Sequence, residues 1–322
     1  MSVPEDKPHE APASAEPAAA TDAAAGPTRC GFIAVIGAPN AGKSTLVNAL
    51  VGAKVSIVSH KVQTTRVALR GIALAGPSQL VFIDTPGIFK PRRRLDRAMV
   101  EAAWGGAGDA DMILLLVDAA KRLDEDLERI MPRLADVHVP LILALNKIDR
   151  VDKEKLLELA QSLNAKAKFD ATFMISALNK NGIDDLKAYL AKIAPEGPWH
   201  YPEDEVSDAP MRLLASEITR EKIYHRLHEE LPYEATVETT DWKEKPSEVR
   251  IEQTIFVNRD SQKSIVLGKG GQMIKQISMD SRRELSKIME KNVHLFLFVK
   301  VREDWGDDPE RYREQGLAFP KD

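Results

Sequence analysis

Gly37-Ala-Pro-Asn-Ala-Gly42-Lys43-Ser44 stands directly after the apolar run 32–36 and directly before Thr45-Leu-Val-Asn-Ala-Leu50. The spacing is GxxxxGK[ST], with a strand-like run before it and helical spacing after it, which is the setting a P-loop requires. Glycines let the backbone curl so that consecutive N–H groups converge on phosphate oxygens, and the following helix adds the positive end of its dipole. Lys43 then supplies a point charge to the β- and γ-phosphates, and the Ser44 hydroxyl is placed to ligate Mg²⁺. Ala38, Pro39, Asn40, Ala41 and Thr45 complete the candidate cradle.

Four further apolar runs, at 80–83, 112–117, 141–145 and 172–175, read as buried strands. Stretches 123–134 and 153–164 carry helical spacing, so the first half predicts a doubly wound, mainly parallel α/β sheet. Ligands in such sheets bind beyond the carboxyl ends of the strands. The loops that follow the runs are therefore where chemistry is expected. After 80–83 comes Asp84-Thr85-Pro86-Gly87, whose acid can hold a metal through water and whose glycine N–H can meet a γ-phosphate. After 141–145 comes Asn146-Lys147-Ile148-Asp149, with a carboxylate set to accept the N1–H and 2-amino groups of guanine. Adenine has no such donor pair and would leave the charge unpaired. The last run delivers Ser176-Ala177-Leu178, whose backbone can cap the guanine O6.

In this order the loops resemble the translation-factor class of GTPases over roughly residues 30–194. That resemblance implies bound GTP or GDP with Mg²⁺, and a switch threonine that completes the metal shell beside Ser44 and Asp84. Thr64 and Thr65, in Gln63-Thr-Thr-Arg66, are the candidates, and similarity to the Thr-Thr-Arg form of the switch favours Thr65. The catalytic set is then Lys43, Thr65, Asp84 and Gly87. Many small GTPases orient water with a Gln after Asp-x-x-Gly; Ile88 stands there and has no hydrogen-bonding group. Water positioning falls to backbone groups, another residue or a partner, and slow intrinsic turnover is expected. Asn40 resembles the asparagine with which some related GTPases recruit K⁺, so stimulation by K⁺ is an expectation. Lys90, Arg92, Arg93, Arg94 and Arg97 read as a finger supply, a partner surface or a solvated mobile face.

The alternation stops at Ala194, and 195–210, rich in Pro, Glu and Asp, reads as a linker whose Trp199 and Tyr201 pack onto a flanking domain. Residues 211–322 predict an α+β order: helix 211–231, strands 235–240 and 249–257, helix 271–291 and strand 294–301. Between them stands Gly268-Lys269-Gly270-Gly271, a GxxG loop that lets backbone approach a sugar-phosphate chain closely. Residues 259–302 hold ten basic side chains against four acidic ones, while 211–322 as a whole holds 20 against 21. Basicity is thus focused where an RNA footprint should be. Lys263, Lys269, Lys275 and Arg282 are the candidate contacts beside the three glycines.

A P-loop unit followed by a helix-first, type II KH-like module resembles the Era GTPases of ribosome assembly. Ala215-Ser-Glu-Ile-Thr-Arg-Glu-Lys-Ile-Tyr224 and Glu230-Leu-Pro-Tyr-Glu-Ala-Thr-Val237 carry the likeness in the second half. The resemblance implies binding near the 3′ end of 16S ribosomal RNA, action on the 30S subunit, and switching in segments 56–71 and 84–97. The rival expectation is a GTPase whose second domain binds a protein or the membrane surface. Expected divisions are a disordered tail at 1–28, a GTPase domain at 29–194, a linker at 195–210 and a KH-like domain at 211–322.

The 322 residues are 43% hydrophobic and 29% charged, with a net charge of −4 and one cysteine, Cys30. This balance excludes collagen-like and wholly disordered chains, and no run reaches the roughly 18 apolar residues a spanning helix needs. Nine Ala and five Pro in 1–28 leave nothing there to bury, and five acidic residues against Lys7 argue against a secretory signal. One cysteine excludes an internal disulfide. A cytoplasmic monomer is expected, with contact at the cytoplasmic face of the inner membrane left open.

Overall fold

A computed structural model describes residues 27–59, 61, 64–66, 68–91, 93–121, 125–135, 137–228, 231–303, 309, 312 and 317–320. The expectation of a disordered tail lies, apart from Pro27 and Thr28, outside the described residues, as do Gln63 and Arg92. Among the described residues, β1 (Arg29–Ile36), β2 (Leu69–Ala75), β3 (Ser78–Asp84), β4 (Met112–Asp118), β5 (Leu141–Asn146) and β6 (Ala171–Met174) form one sheet. Its order is β2-β3-β1-β4-β5-β6, and every neighbour is parallel except β2 against β3.

Alternate residues of the central strands supply two cores, one on each face. Ile33, Val35, Leu114 and Leu116 pack with α1 (Lys43–Val51) and α5 (Ile183–Ile193). Ala34, Ile36, Ile113 and Leu115 pack with α2 (Arg94–Gly108), α3 (Glu125–Leu134) and α4 (Lys153–Asn164). Burial on both faces explains why these strands read as unbroken apolar runs. The order reverses at β1, so the loop after β1 opens between β3 and β4, at the switch point where ligands of such sheets sit.

The sequence did not announce β2. Gly71 interrupts its apolar pattern, and the reason is steric: a Cβ there would come 2.8 Å from Val51 Cγ2 and 3.0 Å from Val47 Cγ1. Nor was α2 foreseen, because its start lies in the arginine run. Asp96 accepts the Arg93 N–H at 3.0 Å and so caps the first turn, while Ala98, Met99 and Ala103 face inward. Tyr312, Leu317 and Phe319 from the chain's end pack on Ala98 and Met99.

The stretch 195–210 is laid along the first sheet. Val206 O accepts the Ile72 N–H at 2.9 Å, Ser207 bridges Gly71, and Trp199 Nε1 donates to Pro77 O at 3.1 Å. Beyond it come α6 (Met211–Arg226), β7 (Thr236–Glu244), β8 (Glu248–Val257), α7 (Asp260–Leu267), α8 (Gln272–Met289) and β9 (Asn292–Val301). The sheet order is β7-β8-β9, antiparallel then parallel. The helix α7 corrects the expected order, which had one helix between the last two strands. Its polar start, with only Gln262 and Val266 buried, hid it. No helix among the described residues is long and apolar enough to cross a membrane.

Candidate nucleotide site and RNA loop

The turn from β1 into α1 requires its glycines. Gly37 has φ +155°, and a Cβ there would stand 2.3 Å from Leu116 O; Gly42, at φ +101°, would push one to 2.4 Å from Asn146 Nδ2. Lys43, the first residue of α1, folds back so that Nζ donates to Gly37 O at 3.1 Å and Ala38 O at 3.0 Å. Burial pushes its ammonium down to about 8, against the pull of Asp84. Pro39, Asn40, Ser44, Thr45, Thr64, Thr65 and Gly87 line the same cleft.

Three oxygens converge there. Ser44 Oγ lies 2.8 Å from Thr65 Oγ1, which donates to Asp84 Oδ2 at 3.2 Å. Asp84 is fully buried at the end of β3, its Oδ1 has no hydrogen-bond partner among the described residues, and burial raises its carboxyl above the usual range. Two hydroxyls around a buried carboxylate with an unshared oxygen fit a hard divalent cation such as Mg²⁺. Of the two threonine candidates, the structure brings Thr65 to this point. Thr64 Oγ1 is turned away and donates to Lys61 O at 2.8 Å.

The loop after β3 touches the P-loop directly: Ile88 N–H donates to Gly37 O at 3.1 Å, and a Cβ on Gly87 would meet Pro39 Cα at 3.0 Å. Thr85 is spent on structure, its hydroxyl donating to Val35 O at 2.7 Å, and Pro86 is buried beside it. The Ile88 side chain is buried in the core.

On the base side, Asn146 joins two loops. Its Nδ2 donates to Ala41 O at 2.8 Å and its Oδ1 accepts the Ala177 N–H at 2.9 Å. Lys147, in a left-handed conformation at φ 65°, sends Nζ to Asn40 O and to Asp118 Oδ2, both at 2.7 Å. Asp149 accepts the Ser176 hydroxyl at 2.5 Å, which holds its carboxyl below the usual range and keeps it an acceptor. Leu178 is exposed. Asp118 was missed in the sequence, although its place directly after the run 112–117 is the signal that marked the other loops.

In the second half, Gly268 ends α7 at φ +71°, and Gly270 and Gly271 follow at φ +61° and +76°. A Cβ on Gly268 would come 2.6 Å from Met273 Cβ, whereas Gly270 and Gly271 face open space. Lys269 is exposed at the loop's tip, Lys263 is half-buried on α7, and Lys275 and Arg282, seven residues apart, share a face of α8. Exposed Ile265 and Met279 add apolar surface beside the basic groups.

A family model described as a 50S ribosome-binding GTPase matches residues 32–147, and one described as a KH domain matches 230–306. GTPase Era of Rhizobium meliloti (strain 1021) is 64% identical over 302 residues, covering 94% of this chain and 96% of that one. GTPase Era of Agrobacterium fabrum (strain C58 / ATCC 33970) is 66% identical over 296 residues, covering 92% and 93%. A solved structure of an Aquifex aeolicus Era variant bound to GDP·AlF4⁻ superposes with a TM-score of 0.86 at 37% identity, covering 90% of this chain and 100% of that one. Era in complex with MgGDPNP and nucleotides 1506–1542 of 16S ribosomal RNA does so with the same score and identity, covering 90% and 99%. With both halves matched and identity above 60% along nearly the whole length, the chain belongs to the Era family of GTPases.

Proposed function

We propose that this chain uses GTP binding and hydrolysis to time its hold on the 3′ end of 16S ribosomal RNA during assembly of the 30S subunit. The observation that carries the reading is one chain that joins a P-loop cleft, flanked by Asn146 and Asp149, to an exposed, basic GxxG loop set between two helices. The solved Era complex, which holds a GTP analogue and 16S RNA together, supports it. The 50S description attaches to the model for residues 32–147 alone; the RNA in that complex comes from the small subunit.

In this reading Lys43 and the P-loop N–H groups grip the phosphates, and Asp149 selects guanine through two donors that only this base offers. Ser44, Thr65 and Asp84 would hold Mg²⁺, which when bound supplies positive charge to the β- and γ-phosphates. Gly87 N–H meets the γ-phosphate, so its loop loses a partner on hydrolysis. Ile88 leaves water orientation to other groups, and turnover is slow until RNA or a cation contributes. Asn40, in the cleft wall, is the residue assigned to K⁺. Lys263, Lys269, Lys275 and Arg282 neutralise RNA phosphates, and Gly268, Gly270 and Gly271 admit the backbone. Residues 29–194 form the hydrolysing unit, 195–210 the linker and 211–322 the RNA-binding unit. The chain works in the cytoplasm, where this RNA is found.

The test is a Lys269→Asp, Gly270→Asp double variant. A side chain at 270 meets no neighbour, and Asp tolerates its left-handed backbone, so the fold should stand. Binding of a 16S 3′-end oligonucleotide should fall by more than tenfold, with GDP affinity unchanged. Unchanged RNA binding, or binding to lipid vesicles in place of RNA, would refute the reading.

A further inference from the structure

The segment that carries Thr65 is held from outside its own domain. Glu221 Oε1, on α6, accepts the Val58 N–H at 2.8 Å. Arg220, also on α6, donates through Nη2 to Thr64 O and pairs with Glu217, Nε meeting Oε1 at 2.8 Å. On the other side of Thr65, Arg66 reaches into the second domain and donates to Ala235 O at 3.0 Å and Tyr233 O at 2.9 Å. Thr65 thus lies between two residues pinned by α6 and the turn after it, while its hydroxyl faces Ser44 and Asp84.

Arg220 is 2% exposed. Burial works against its charge, but the Glu217 carboxylate, with Tyr224 beside it, outweighs that and holds its pKa above the usual arginine value. A buried pair of this kind adds little stability over an apolar pair of equal volume. The helix does not need it to dock, since Thr219 Oγ1 donates to Gln253 Oε1 at 2.6 Å and Ile218 and Ile223 are fully buried in the second domain's core. What the pair does provide is a guanidinium fork locked on Glu217 through Nε and Nη2, with Nη2 also donating to one carbonyl, Thr64 O.

We propose that Arg220, a residue of the RNA-binding half, is a positioning residue for the GTPase centre, fixing the backbone at Thr64 so that the Thr65 hydroxyl stands ready for Mg²⁺. The inference rests on the assignment of Thr65 to the Mg²⁺ shell. It makes the completeness of that shell depend on the docking of α6, so that a pull on the second domain is felt at the metal.

The experiment is a Mg²⁺ titration of the affinity of the full chain for a fluorescent, non-hydrolysable GTP analogue, with GDP in parallel. In Glu217→Gln, Arg220→Met no buried carboxylate is left alone, and the half-saturating Mg²⁺ for the analogue should rise by about tenfold, the worth of one charge-assisted hydrogen bond. GDP should stay within about twofold, because without a γ-phosphate Thr65 is not called on. Arg220→Lys keeps a charge for Glu217 but lacks the fork, so a smaller rise of about threefold is expected. If thermal melting shows the double variant unfolded, Arg220→Lys decides alone. Half-saturating Mg²⁺ unchanged in the folded variants, while Thr65→Ala raises it, would overturn the proposal and leave the site assignment standing. No effect of Thr65→Ala would overturn both.

Discussion

Asp118→Asn isolates the ion pair between Asp118 and Lys147 beside the P-loop. Asp118 Oδ1 accepts the Ala120 N–H at 3.0 Å and closes the turn after β4, a role asparagine keeps. Its Oδ2 lies 2.7 Å from Lys147 Nζ, and there the substitution puts an N–H donor against an ammonium. The two side chains are 9% and 26% exposed, so the pair falls between surface pairs worth up to ~1 kcal/mol and buried ones whose breakage costs ~3–5 kcal/mol. A loss of about 2 kcal/mol, roughly 30-fold in Kd, is expected. Lys147 bonds Asn40 O in the P-loop and neighbours Asn146, so the loss should fall equally on GDP and on a non-hydrolysable GTP analogue. Calorimetric titration of both nucleotides at fixed Mg²⁺ measures it. Affinities within twofold of the parent, or a loss confined to the triphosphate, would refute the argument that Asp118 acts through Lys147.

Asp149→Asn should weaken GTP by about 100- to 1,000-fold, since two charge-assisted acceptor bonds to guanine are lost. The same variant should gain affinity for xanthosine triphosphate, whose extra carbonyl accepts from the amide; competition binding reads both. Lys43, pushed down to about 8 by burial, is charged below that value and neutral above it. Nucleotide affinity should therefore be flat below about pH 7 and fall as pH rises through 8, while the nucleotide-free protein gains stability between 8 and 10.5, where the unfolded chain binds the extra proton. A pH series of Kd and of melting temperature checks the two opposite slopes. Phosphate release should be faster in potassium than in sodium at equal ionic strength; Asn40, left-handed at φ 62° in the cleft wall, is the residue proposed to hold the ion, and Asn40→Ala should abolish the difference.

The nucleotide loops were legible because their chemistry is local. Eight consecutive residues make the P-loop, and each later loop follows an apolar run that a buried parallel strand must have. The choice of Thr65 over Thr64 came from the resemblance alone; its physical reason, that Lys61 O takes up the Thr64 hydroxyl, is not written in the residues. Helix α7 and strand β2 escaped notice where burial is thin or where Gly71 breaks the pattern for the sake of a close packing contact. Arg93, Arg94 and Arg97 read as a finger supply, a partner surface or a solvated face, yet Asp96 sets a helix start among them. Least readable of all was the bond from Arg220 to Thr64 O, since its partners stand 156 residues apart and nothing in either neighbourhood announces the other.

The stretch 199–208 ties the entrance of the second half to β2 and β3, and Tyr312, Leu317 and Phe319 tie its exit to α2. A body hung at both ends swings about the line between its suspension points and is hindered from tumbling freely. Clipping the chain between the two halves would leave the C-terminal anchor in place, so the pieces should stay associated at an effective concentration set by that second attachment.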